Sequence, residues 1–120
     1  MEALSVVLTS EDDHGDSIED ATGITLGSTL EAQINYDQDS DYFRIIALQH
    51  TQLTVKSVFE SGAIGNVYIY DATGTLLKSG QSLTEADSKG YGISNYLVQP
   101  GVYYIRVYSA KAGGYRLSLN

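Results

Sequence analysis

The chain has 120 residues and 13.0 kDa, with 42% hydrophobic and 18% charged residues, which is the size and composition of one globular domain with its own core rather than a disordered chain. Fifteen Asp and Glu against seven Lys and Arg leave a net charge of −8, a surface that repels phosphate backbones and anionic bilayers and so argues against nucleic acid or membrane as partner. No apolar run reaches the roughly 18 residues of a spanning helix, and the absence of Cys removes disulfides, thiolate metal sites and cysteine nucleophiles together.

Along the chain, Met1 to Phe43 holds eleven acids and no base, whereas Arg44 onward holds four acids and seven bases. Folding the first part against its own repulsion calls for a neutralising partner, and a cation is the obvious one. Ala3 to Leu8 is apolar, but it has no basic segment before it and no cleavage-site pattern after it. Residues 1–10 are read as a linker or an extra N-terminal strand, residues 11–120 as a single domain, and the whole as a module of a longer protein. Ser17 to Ala21 suits a short helical turn, with Asp16 placed to cap it.

From there the pattern is strands and turns. Leu30, Ala32 and Ile34 alternate with Glu31, Gln33 and Asn35. Phe43, Ile45 and Ala47 alternate with Tyr42, Arg44, Ile46 and Leu48, a strand apolar on both faces that Tyr42 opens. Leu53, Val55 and Ser57 alternate with Thr54 and Lys56. Val67 and Ile69 point opposite to Tyr68 and Tyr70; Tyr103, Ile105 and Val107 point opposite to Tyr104, Arg106 and Tyr108; Tyr115, Leu117 and Leu119 close the chain. Asp71-Ala72-Thr73-Gly74 is a hairpin turn, Gln49-His50-Thr51 a turn between strands, and Gln99-Pro100-Gly101 and Lys111–Gly114 are further breaks. Gly80 to Gly90 is polar and reads as a mobile loop. About eight short strands without βα alternation predict an all-β fold, an antiparallel β-sandwich or jelly roll.

Two acidic clusters stand out, Glu11-Asp12-Asp13-His14-Gly15-Asp16 and Asp37-Gln38-Asp39-Ser40-Asp41. Hard divalent cations take oxygen ligands, and Ca²⁺ tolerates the irregular geometry that loops provide. The second cluster begins like an EF-hand loop, but its sixth position is Tyr42 rather than Gly and its twelfth is Leu48 rather than Glu, so it is not one. A site shared between the clusters is one reading and two solvated acidic loops the other; the lack of any base before Arg44 favours the shared site. Zinc fits poorly, since His14 and His50 lie in no ligand-spaced motif.

A second constellation is aromatic. If Ile69 and Ile105 face the core, then Tyr68, Tyr70, Tyr104 and Tyr108 face outward with Arg106 between two of them. Such rings on a rigid sheet suit docking of sugars or peptide, because they bury area at little entropy cost. The plainer alternative is cross-strand packing that only stabilises the sheet. Catalytic signatures are missing: no G-x-S-x-G elbow, no H-E-x-x-H, no P-loop, no G-x-G-x-x-G. Facing carboxylates across a cleft are not suggested either, because the acids crowd into the two clusters. An enzyme is not expected.

The order EDDHGDSIEDATGITLGSTLEAQI, DQDSDYFRI, VYIYDATGTLL, PGVYYIRVYS, GGYRLSLN resembles the bacterial pre-peptidase C-terminal domains, over Glu11 to Asn120. These are secreted jelly-roll modules beside the catalytic domains of proteases and other exoenzymes and in some adhesins, and the collagen-binding domains of clostridial collagenases are similar. The resemblance implies a β-sandwich with calcium at its N-terminal edge. Where calcium-binding relatives commonly read Glu-x-Asn-Asp, this chain has Asp13, His14, Gly15 and Asp16, so Asp13 and Asp16 carry over as ligands, with Glu11 or Asp12 upstream. Asp41 matches the acid before Tyr, with Asp39 or Asp37 beside it. Gly15 departs from the pattern by removing a side-chain ligand. In the collagen-binding relatives outward tyrosines take part in binding, which points to Tyr68, Tyr70, Tyr104, Arg106 and Tyr108 here.

The resulting expectation is a monomeric, noncatalytic, calcium-binding accessory module of a secreted or cell-surface bacterial enzyme or adhesin. It would bind an extracellular polymer, protein or polysaccharide (collagen-binding or carbohydrate-binding), and would sit beside the catalytic or adhesive domains of its own parent chain. The alternative is a structural spacer, or an export or maturation segment, with calcium as its only ligand.

Overall fold

The two-residue alternation of apolar side chains becomes ten strands among the described residues: β1 (Thr22–Gly23), β2 (Thr29–Ile34), β3 (Asp39–Ala47), β4 (Thr51–Phe59), β5 (Gly65–Asp71), β6 (Leu76–Ser79), β7 (Gln81–Glu85), β8 (Ser88–Val98), β9 (Gly101–Ser109) and β10 (Gly113–Leu119). The computed structural model describes residues 18–35, 39–59, 65–85, 88–110 and 112–120, with 83–85 and 88–89 as backbone alone. A short 3-10 turn at Ile18–Asp20 stands where the helical turn is expected, while Asp16 and Ser17 lie outside the described residues.

The strands form two five-stranded sheets, ordered β1-β3-β9-β5-β6 and β2-β10-β4-β8-β7. Every pairing is antiparallel except the two-residue contact of β1 with β3. Phe43, Ile45, Leu53, Val55, Phe59, Val67, Ile69, Ile105, Val107, Leu117 and Leu119 fill the space between the sheets. Each such side chain, taken fully out of water, contributes about 1.5–3 kcal/mol. This is the all-β sandwich that the alternation predicts.

Two turns show why the strands run where they do. Gly74, at φ 87°, closes the β5–β6 hairpin, and Oδ1 of Asp71 accepts the Thr73 and Thr75 amides at 2.9 Å each and the Thr73 hydroxyl at 2.7 Å. At Gly80 the chain leaves one sheet for the other; a Cβ there would stand 2.6 Å from Cγ2 of Val67 and 2.7 Å from Oδ1 of Asn66, so only glycine passes. In β8 a bulge opposite Leu53 to Val55, with Asn95 at φ 53°, lets Tyr96 and Ile93 both reach the core.

Four expectations are corrected. The stretch from Gly80 to Gly90, read as a loop for its polarity, holds β7 and the start of β8: an edge strand with one face in water needs backbone pairing more than apolar side chains. The second acidic cluster is not a loop ahead of a strand that Tyr42 opens, because β3 already begins at Asp39. That strand is buried on one side only, since Ile46 is 55% and Leu48 87% exposed. The last turn is also shorter than expected, with β10 starting at Gly113 opposite Ile34.

Candidate functional site

The first site is an acidic end to the core. β3 turns Asp39, Asp41, Phe43, Ile45 and Ala47 to the same inward side, so strand parity carries two carboxylates between the sheets along with three apolar side chains. Asp39 is 2% exposed and Asp41 fully enclosed. The amide of Asn35 donates to Oδ2 of Asp39 at 3.4 Å. The hydroxyl of Tyr115, from the opposite sheet, donates to Oδ2 of Asp41 at 2.6 Å. The Tyr115 ring packs on Phe59 at 5.6 Å between centroids, so the apolar core itself aims this hydroxyl. Buried Ser109 stands across from Asp39 in the register. Of the sequence-derived metal ligands, Asp12, Asp13, Asp16 and Asp37 lie outside the described residues. Among those described, no group of three or more His, Cys, Asp or Glu comes together to hold a metal.

The second site is the outward side of the first sheet. Register puts Arg106 of β9 directly between Tyr42 of β3 and Tyr68 of β5. Its guanidinium carbon lies 5.2 Å from the ring centre of Tyr68, 5.5 Å from that of Tyr108 and 6.0 Å from that of Tyr42, within reach of cation–π attraction. Nε donates to Oγ of Ser40 at 2.9 Å and Nη1 to the Tyr70 hydroxyl at 3.4 Å. Desolvation works against the charge of Arg106, while the Tyr70 hydroxyl bond and the neighbouring Tyr42, Tyr70 and Tyr68 favour it, and the balance raises the pKa. The cation is therefore permanent and held in place.

Four of the five residues expected on this face, Tyr68, Tyr70, Arg106 and Tyr108, form one cluster. Tyr104 joins by register, opposite Arg44 and Tyr70, rather than by ring contact. Sequence reasoning missed Tyr42 and Ser40, which complete the cluster from β3; Tyr42 also meets Tyr70 at 6.3 Å between ring centres. Their signal was the parity of β3, which sets both opposite Phe43. Also missed was an open cleft of about 1000 Å³ at the sheet edge, lined by Ile24, Leu26, Leu30, Arg44, Ile46 and Leu48 among others.

Among the described residues no helix is long and apolar enough to cross a membrane. By sequence, no family profile and no curated protein matches the chain. By structure it is similar to the pre-peptidase C-terminal domain of collagenase from Bacillus anthracis, with 18% identity and a TM-score of 0.67, over 88% of this chain and all of that one. It is also similar to part of the CspB protease of Clostridium perfringens, with 10% identity and a TM-score of 0.52, over 82% of this chain and 27% of that one. The chain thus has the fold of a pre-peptidase C-terminal domain, as its motifs led one to expect.

Proposed function

We propose that this chain is a noncatalytic, calcium-binding accessory module of a secreted or cell-surface bacterial protein, and that it holds an extracellular polymer against the outward face of its first sheet. The observation that carries the reading is the cluster of Tyr42, Tyr68, Tyr70 and Tyr108 around Arg106. Half-buried rings braced by a fixed cation offer amphipathic area that loses little freedom on binding.

Calcium would be held by Asp39 and Asp41 together with Asp12, Asp13, Asp16 and Asp37. Support comes from the burial of Asp39 and Asp41: two neighbouring carboxylates out of water are costly as bare charges and suit a hard, oxygen-seeking cation. When bound, the ion would neutralise these acids and add stability with the logarithm of its free concentration over Kd. Tyr115 keeps Asp41 oriented in the meantime. Residues 11–120 would then act as one domain, with 1–10 as linker or added strand.

Two measurements test the reading. The melting temperature in millimolar CaCl₂ should rise by several degrees over that in EDTA, with MgCl₂ without effect, and Asp41→Ala should remove the rise; no shift overturns the calcium part. Pull-down on insoluble collagen, cellulose, chitin and alginate should retain the wild type, and a Tyr42→Ala plus Tyr68→Ala variant should wash through. Retention on none of them leaves a structural spacer or an export or maturation segment.

A further inference from the structure

The protein carries −8 overall, yet no strand of the first sheet turns an Asp or Glu to the outward side. Asp39 and Asp41 point inward, and Asp71 ends β5 on the inward parity of Val67 and Ile69. Glu19 and Asp20 lie in the turn ahead of β1; that turn packs beside β3 but is not part of a strand. What the strands do place there in charge is two arginines. Neither has an ion pair among the described residues.

Arg106 uses Nε on Ser40 and Nη1 on Tyr70, which leaves its Nη2 without a protein acceptor among those residues. Arg44 is exposed and stands on the neighbouring strand, one step along from the residue opposite Arg106. The two are diagonal neighbours rooted about 7–8 Å apart. Gly23 keeps room for Arg44, since a Cβ there would come within 2.9 Å of its Nη2. The face therefore alternates planar apolar rings with guanidinium forks that have N–H groups to spare. It is a locally positive face on a protein whose net charge is −8.

We propose that the polymer bound on this face is a polyuronate, its sugar rings stacked on the tyrosines and its carboxylates taken by Arg106 and Arg44. The inference rests on the binding-face reading above and narrows it. Each unit of such a polymer offers an apolar ring face and one planar carboxylate, the pair of chemistries that the face repeats, and the guanidinium fork matches a carboxylate in two parallel hydrogen bonds. The cluster lies on the outward side of β3, β9 and β5, and β9 and β5 are paired on both sides, so side chains rather than strand edges carry recognition there.

The test is titration calorimetry with soluble oligogalacturonates and with the same oligosaccharides after reduction of their carboxyls to alcohols. The acidic form should bind more tightly by about tenfold or more, the advantage should shrink in high salt, and Arg44→Ala and Arg106→Lys should each lose about tenfold. Arg44→Ala, exposed and without partners among the described residues, keeps the fold, which the melting temperature checks. Equal affinity for the two forms, or for wild type and both arginine variants, overturns the polyuronate and leaves the binding face standing. Binding that Tyr42→Ala plus Tyr68→Ala does not weaken overturns the face itself. Retention on collagen alone, without binding to either oligosaccharide, makes the ligand a protein and overturns the polyuronate only.

Discussion

On the outer side of the second sheet, Arg116 of β10 stands directly across from Glu31 of β2, and their charges meet at 3.6 Å with both side chains largely in water. On the outer side of the first sheet, Arg106 of β9 stands directly across from Tyr42 and Tyr68 and finds rings and hydroxyls instead. The same alternation builds both faces. Around Arg116 the neighbouring outward positions are Glu31 and Gln33 of β2, Ser118 of β10 and Val58 and Lys56 of β4, a mixed surface without rings where an exposed ion pair adds little. Around Arg106 they are mostly tyrosines that strip water from the guanidinium, and no carboxylate among the described residues answers its charge. An arginine on a strand is thus a solvated surface residue or a ring-braced cation according to the residues that register places beside it, and register is a property of the fold.

The farthest-reaching expected effect falls on what both faces share. Tyr115 comes from the second sheet and Asp41 from the first, so their 2.6 Å hydrogen bond ties the two layers at the acidic end. Tyr115→Phe keeps the ring on Phe59 and leaves a buried carboxylate oxygen short of a donor. Leaving an enclosed carboxyl oxygen without its donor costs about 1–3 kcal/mol, to be read from urea unfolding midpoints. Because the tie is common, polymer binding at the first face should persist in the folded fraction. A variant as stable as the wild type would mean that the two sheets need no polar tie there.

That tie also marks the limit of what the sequence discloses. The strands β2, β3, β4, β5, β9 and β10, their parity and the outward set of Tyr68, Tyr70, Tyr104, Arg106 and Tyr108 are legible, because a period of two needs only neighbours. Polar β7 and the start of β8 show no such period. Tyr42 and Ser40 carry the same parity signal, but their closeness to Arg106 depends on the β3–β9 register, which no local pattern states. Asp39 and Asp41 mislead in another way. Three carboxylates in the five residues from Asp37 to Asp41 look like a solvated loop, although the parity running back from Ile45 and Phe43 places Asp39 and Asp41 inward. Charge argued for water while period argued for burial, and period won. Tyr115 and Asp41 lie 74 residues apart in the chain and in different sheets, so nothing short of the assembled sandwich brings them together.

The next effect sharpens the contrast between the two arginines. Arg106→Met keeps the aliphatic stem but removes the cation from three rings and the bonds to Ser40 and Tyr70. At about 0.5–1 kcal/mol for each of three partly exposed cation–π contacts, the loss should come to about 1.5–3 kcal/mol. Arg116→Met on the other face should change stability by less than about 0.5 kcal/mol. Paired denaturant titrations compare the two directly. Equal costs would erase the distinction drawn between a ring-braced arginine and a solvated one.

The smallest effect concerns how the first face is framed. Asp71 ends β5 one residue beyond Tyr70, and its carboxylate gathers the hydroxyl of Thr73 and the amides of Thr73 and Thr75 into the β5–β6 turn. The Thr73 hydroxyl bond first, then the Thr75 amide and the other backbone amides, hold its pKa below the ordinary carboxylate value, against the opposing effect of desolvation. A lowered folded-state pKa stabilises the turn fully above the unfolded value near pH 4, and the contribution fades as pH falls through the lowered pKa. Asp71→Ala should therefore speed amide exchange at Thr73 and Thr75 at neutral pH, and its difference from wild type should close in acid. The second sheet, which has no part in this turn, should exchange at the same rate in both proteins. If exchange quickens there as well, the hairpin is coupled to the whole sandwich, and the two faces are less independent than their chemistry makes them.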